Sequence, residues 1–200
     1  MGIRHNLNCD TDSVSACGLS VDGSTHQLLK TDNNRVLATL PSASTHSQIG
    51  QLFSTVINVN TNFNEVSQIL FSNTSSKTMY LDKIMCSSVV VPENTPRNYV
   101  SSVIVTIIKN VTIEALGTPL SATNLNTAFP DTASVTVTQN PNALSGTVIF
   151  GIRPLGEYAS IDFDGRMIVP PNSNIIVQLL FSLPIVVNVD FWATITWYEL

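Results

Sequence analysis

The chain has 200 residues, a formal net charge of −5, and only 12 % charged side chains against 44 % hydrophobic ones; an average soluble domain carries roughly 25 % charged residues. With nine scattered Lys and Arg there is no basic stripe, which argues against direct nucleic-acid binding. No apolar run is long enough to span a bilayer, and the first residues lack the apolar segment of a signal peptide, so no membrane partner and a start in a cytoplasm are expected.

Residues 1 to about 45 are polar and weakly periodic. Val21-Asp22-Gly23 reads as a turn before a short strand, Thr25–Leu29. Thr31–Arg35 is a second turn leading to Val36-Leu37-Ala38, and Pro41–Thr45 reads as a linker. This stretch is expected to be an N-terminal arm, residues 1–45, for docking on a partner, either carrying a small hairpin or ordering only on that partner. Cys9 and Cys17 fall inside it and form a candidate disulfide in an oxidising setting; Cys86 is the third cysteine, and no metal-type spacing links the three.

From residue 50 the pattern is strands and turns. Leu52–Val59, Val66–Phe71 and Thr78–Cys86 alternate. Tyr99–Lys109 is apolar on both faces, with Val103, Val105 and Ile107 on one and Val100, Ile104 and Ile108 on the other. Such a strand must be covered twice, by an overlying loop or by another subunit. Gly117-Thr118-Pro119 opens a long connection that suits a Greek-key crossover, with Ser121–Thr127 short-helical or irregular. Strands follow at Ser134–Gln139, Thr147–Ile152, Tyr158–Phe163, Met167–Val169, Ile175–Phe181 and Val186–Tyr198. In the last, Val189, Phe191, Ala193, Ile195 and Trp197 share one face, and Asp190, Trp192, Thr194, Thr196 and Tyr198 the other. A period of two held this long is a strand signal. The expected fold is an all-β, jelly-roll-type β-sandwich over residues 46–200 with the extended N-terminal arm before it.

Chemistry is sparse. His5, His26 and His46 have no metal-ligand spacing and read as solvated turn residues. Asp162-Phe163-Asp164-Gly165 is half of a calcium loop but lacks the closing Glu, so a turn is preferred. There is no Gly-x-Ser-x-Gly and no phosphate loop. Glu65, Glu93, Glu114, Glu157 and Glu199 are the acids available for carboxylate pairs. No catalytic, cofactor-binding or metal residue is assigned, and the chain is read as a non-enzyme. The sequons at Asn73 and Asn110 are read as chance. Trp192 and Tyr198, with Tyr99 and Tyr158, are aromatics able to stack on sugars or to fill a subunit interface.

The C-terminal third resembles jelly-roll virion proteins of tailed bacteriophages. The likeness is carried by Gly165–Ser173 with its Pro170-Pro171-Asn172, by Ile175–Leu179, and by the closing Ala193-Thr194-Ile195-Thr196-Trp197-Tyr198-Glu199. Val21–Leu29, Thr118-Pro119-Leu120 and Asn124-Leu125-Asn126 add to it. The resemblance implies a structural protein of the virion, on the capsid, collar, neck, tail or fibre. Its partners would be copies of itself, as a trimer in a fibre or spike, and other virion proteins. Val103, Val105, Ile107, Trp192 and Tyr198 are the expected interface residues. The alternatives are a module binding a host glycan or receptor, and a subunit of a bacterial surface filament.

Overall fold

The structure is a computed structural model that describes residues 9–10, 13–14, 16–19, 26–29, 42–61, 66–90, 102–154, 158–182 and 189–200. The chain divides into two compact units, Met1–Pro41 and Ser42–Leu200. In the first, β1 (Cys9–Asp10) pairs with β2 (Ser13–Val14), and β3 (Ala16–Leu19) pairs with β4 (His26–Leu29), both antiparallel. The side chains of Cys9, Cys17 and His26, and the Val36–Ala38 segment, lie outside the described residues.

The second unit opens with a helix, α1 (Ser42–Gln48), which begins in the segment read as a linker and runs three residues past it. Ser and Thr favour turns when nothing else acts on them, and a seven-residue helix is not stable alone. What holds α1 is tertiary: His46 is buried against the sandwich.

The strands that follow are β5 (Leu52–Thr61), β6 (Val66–Asn73), β7 (Met79–Val90), β8 (Ser102–Ala115), β9 (Thr118–Leu120), β10 (Thr123–Asn124), β11 (Thr136–Gln139), β12 (Asn142–Ile152), β13 (Tyr158–Val169), β14 (Ser173–Ser182) and β15 (Val189–Glu199). They form two sheets, ordered β10-β5-β15-β7-β13 and β12-β8-β14-β6-β11-β9, antiparallel throughout. Four strands go out, β5 to β8, and four come back, β12 to β15. The pairs β5·β15, β6·β14, β7·β13 and β8·β12 lie alternately in one sheet and the other. That is one long antiparallel ribbon wound around a core, the jelly-roll solution to closing a sandwich. The crossover between β8 and β12 carries the chain to the far edge of both sheets, where β9 and β11 extend one and β10 the other.

The core lies between the sheets and is built from alternate residues. Phe191, Ala193, Ile195 and Trp197 of β15 face Val105, Ile107, Val177, Leu179, Ile69 and Phe71. Trp197 is fully buried, with ring centroids 6.0 Å from Phe53 and 5.3 Å from Phe71. Two aromatic packings of this kind add to the area term.

Val103, Val105 and Ile107 belong to this core. They pack within their own chain, so they are not available as interface residues. On the other apolar face of β8, Ile108 also finds cover at home, while Val100 lies outside the described residues. Beyond Lys109, β8 leaves β14 but stays paired with β12. Asn110 takes a positive φ of 53° at this point. The Asn174 side chain then replaces the lost ladder: its Oδ1 accepts the Val111 N–H at 2.8 Å, and its amide donates to the Val111 carbonyl at 2.9 Å. The bent ribbon seats Val111, Ile113 and Ala143 on Leu70, Ile176 and Ile108, forming a second apolar cluster. Gly146 lies where any Cβ would meet the Ile108 side chain.

Asp164 and Gly165 do not end a strand as a hairpin turn would. Both have positive φ, 48° and 68°. They belong to a large bulge within β13, because Asp162 faces Lys83 while Met167 faces Leu81. The chain shows both the Asp-Gly turn chemistry and the strand continuing through it.

Candidate interaction surface

The outer face of the five-stranded sheet is built in rows across β5, β15, β7 and β13. One row is Leu52, Tyr198, Tyr80 and Ile168. The next is Ser54, Thr196, Lys83 and Asp162, with Asp82 as an extra residue beside Lys83, since Thr196 faces Lys83 and Trp197 faces Leu81. Then come Val56, Thr194, Met85 and Ser160, and next Asn58, Trp192, Ser87 and Tyr158; beyond these four rows Asp190 faces Asn60 and Val89.

In the first two rows the β5, β15 and β7 positions are buried or half-buried, while Ile168 and Asp162 of β13 are exposed. Tyr198 is buried, its ring stacked between His46 of α1 at 4.1 Å and Tyr80 at 5.0 Å. Its hydroxyl lies over Gly165, which leaves no room there for a Cβ. Tyr198 is therefore a packing residue under α1, and the expectation that it forms an exposed interface does not hold for the folded chain. His46 is likewise not a solvated turn residue. Burial holds its pKa below the ordinary histidine value, against the raising influence of its contact with Gln51 (3.4 Å from Nδ1 to Oε1) and of Asp82. Burial pushes Asp82 the other way, up, although it accepts a hydrogen bond from Thr196 at 2.9 Å. Lys83 and Asp162 form an ion pair at 3.2 Å at the rim of this region.

The last two rows are open. Trp192 is 50 % exposed, Tyr158 62 % and Val56 54 %. Among the described residues neither Trp192 nor Tyr158 packs its ring on another ring. Tyr99, the remaining aromatic of interest, lies outside the described residues.

A second open region is the β12 edge of the six-stranded sheet. Among the described residues β12 pairs only with β8, so its other edge is unpaired. Residues 142–152 contain no charged side chain. Leu144 is 65 % and Val148 61 % exposed, and Ile149 and Ile152 are also exposed. Phe150 alone turns inward, edge-on to Phe163 at 5.1 Å. Sequence reading placed a strand only at Thr147–Ile152 and gave it no role. The signal available was the uncharged run, but alternation cannot say which strand ends up at an edge.

The other candidate groups are spent on structure. Glu199 is fully buried and accepts N–H bonds from Ser134 (2.8 Å), Val135 (3.1 Å) and the Trp197 indole (3.1 Å), tying the loop before β11 to the last strand. Asn73 is buried and its amide donates to the carbonyls of Lys77 and Val169, so it offers no free nitrogen to a glycan in the folded state. Asn124 holds the crossover, donating to the Gly50 carbonyl at 2.8 Å and accepting from the Asn126 N–H at 2.9 Å. Cys86 is buried in the core, where desolvation pushes its thiol up to about 11. Among the described residues no three His, Cys, Asp or Glu side chains converge as metal ligands.

Comparison with protein-family models and with curated proteins finds no match in either, so the two open surfaces are read from their own chemistry.

Proposed function

We propose that this chain is a structural subunit of a tailed-phage virion, which works by assembling with copies of itself and with neighbouring virion proteins. The observation that carries the assembly part is the β12 edge. An unpaired strand edge offers a row of backbone donors and acceptors to any other strand, and soluble monomers blunt such edges with charge or proline. Here the strand is eleven residues long; its register against β8 shifts at four places, but it is free of charge and proline and lined by exposed Leu144, Val148, Ile149 and Ile152. An uncharged edge meets its own copy without like-charge repulsion. The jelly-roll topology is compatible with a shell or spike component, an argument from analogy alone. The virion placement rests on the sequence resemblance, and adjacency of the gene to capsid, portal or tail genes is its check.

Light scattering on the eluting protein tests assembly directly. The full chain should run at a multiple of 21.7 kDa, and Val148→Lys with Ile152→Lys should return it to the mass of one chain. A wild-type chain that stays at 21.7 kDa at every concentration overturns the self-assembly reading.

A further inference from the structure

We propose that the open end of the five-stranded sheet is a binding site for a neutral oligosaccharide, gripped between Trp192 and Tyr158. The two residues face the same residue, Ser87, from opposite sides. Adjacent strands lie about 4.8 Å apart, so their Cα atoms stand about 10 Å apart across β7. Two large rings flanking a small hydroxyl make a trough along β7, with Ser87 and the half-buried Met85 as its floor. The span suits two pyranose rings.

The chemistry of the walls narrows the occupant. A sugar ring presents an apolar C–H face and a rim of hydroxyls. The trough offers aromatic faces with no partner ring among the described residues, and around them Asn58, Thr194 and Ser160, all neutral donors and acceptors. No side chain in these two rows is charged at neutral pH; the row on one side holds the Lys83–Asp162 ion pair and the row on the other holds the acid Asp190, which adds to the case against an anionic ligand. The chain as a whole carries −5, so an anionic glycan or a nucleic-acid strand would be disfavoured and a neutral sugar would not. The site is independent of the β12 edge, which belongs to the other sheet. Glycan binding should therefore persist in the Val148→Lys, Ile152→Lys variant, and either reading can fail alone.

The chain's two tryptophans make the test selective. Trp197 is fully buried and Trp192 half exposed, so acrylamide quenching of the full-length protein reports chiefly on Trp192. The probes are maltohexaose, cellohexaose and the hexamer of N-acetylglucosamine, with a heparin hexasaccharide and a ten-proline peptide as competing chemistries. At least one neutral hexamer should protect Trp192 from quencher. Calorimetric binding of that sugar should be lost in Trp192→Ala and weakened about tenfold or more in Tyr158→Ala, the loss expected of a central aromatic anchor. Ile168→Ala, exposed on the same face three rows away, should leave it unchanged. The proposal is overturned if no neutral hexamer protects Trp192, if only the heparin fragment or the proline peptide does, or if Tyr158→Ala binds as tightly as wild type. It is also overturned if Trp192 is already shielded in the free protein and Trp192→Ala lowers the particle mass, which would make the face a contact between copies.

Discussion

The outer faces of the two sheets carry similar apolar residues and treat them in opposite ways. On the six-stranded sheet, Leu70 and Ile176 point away from the sandwich yet are buried, because the bent end of the β8–β12 ribbon lies over them. On the five-stranded sheet, α1 covers Tyr198, which stacks on Tyr80, but Val56, Trp192 and Tyr158 stay in contact with solvent. An apolar residue that its own chain covers contributes to folding. One left bare contributes little to folding; a single one is ordinary, and a contiguous group marks a candidate contact surface. The same residue types therefore have different meanings on the two sheets, and substitutions should separate them.

The largest expected effect is on the covered face. Ile176→Ala removes a side chain that is 1 % exposed and packed against Leu70 and Val111. An Ile-to-Ala truncation in a packed site costs about 2–5 kcal/mol, which urea unfolding followed by fluorescence will read. A cost under about 0.5 kcal/mol, the range of ordinary surface changes, would mean that the ribbon does not hold the cluster closed.

A smaller loss is expected at Gly165. Its φ of 68° already disfavours a side chain, and a methyl there would run into the Tyr198 hydroxyl. Gly165→Ala should cost about 1–3 kcal/mol, the scale of a strained backbone position, and should loosen α1 by displacing Tyr198. Faster amide exchange in residues 45–48 than in the core strands would show the second effect.

How much of this could be read from sequence follows from what periodicity encodes. Alternation in β15 located its core face and its outer face, because side-chain direction along a strand is a local property. The two apolar faces of β8 were visible for the same reason. What covers the second face was not, since the bend at Asn110 and its closure by Asn174 join residues 63 positions apart. His46 and Tyr198 illustrate the same limit. Each looked exposed on its own element, and each is buried because the other stacks on it. Trp192 and Tyr158 could be listed together as aromatics, but only strand order puts both opposite Ser87.

The pH response of the closed end should be modest, and its sign is fixed. Burial lowers the His46 pKa, so the unfolded chain binds a proton more readily than the folded one. The stability that neutral His46 contributes is complete above about pH 6.5 and is lost as pH falls through the lowered value. Asp82 acts in the opposite sense. Its pKa is raised by burial, so its contribution is complete below the unfolded value and is lost as pH rises through the raised one. On acidification from neutral pH the His46 loss therefore comes first, and the Asp82 gain opposes it at lower pH. Thermal melts from about pH 7.5 to 5 should show the midpoint falling in wild type and falling less in His46→Gln, which keeps a polar side chain but does not titrate. Parallel curves for the two proteins would remove His46 as the cause.

The smallest expected effect is the one that decides the comparison. Val56→Ser and Trp192→Ala change residues about half exposed on the bare rows, facing Thr194 and Asn58 rather than the core. Each should shift folding stability of the isolated chain by no more than about 0.5 kcal/mol, the usual range for surface positions. If instead Trp192→Ala costs as much as Ile176→Ala, the open rows are part of the folded scaffold, and no partner is needed to explain their apolar side chains. If it costs nothing while sugar binding or particle mass changes, those side chains serve contacts outside the chain. Near-zero loss in stability is the range of any surface position, so Trp192 is a recognition residue only when sugar binding or particle mass changes with it.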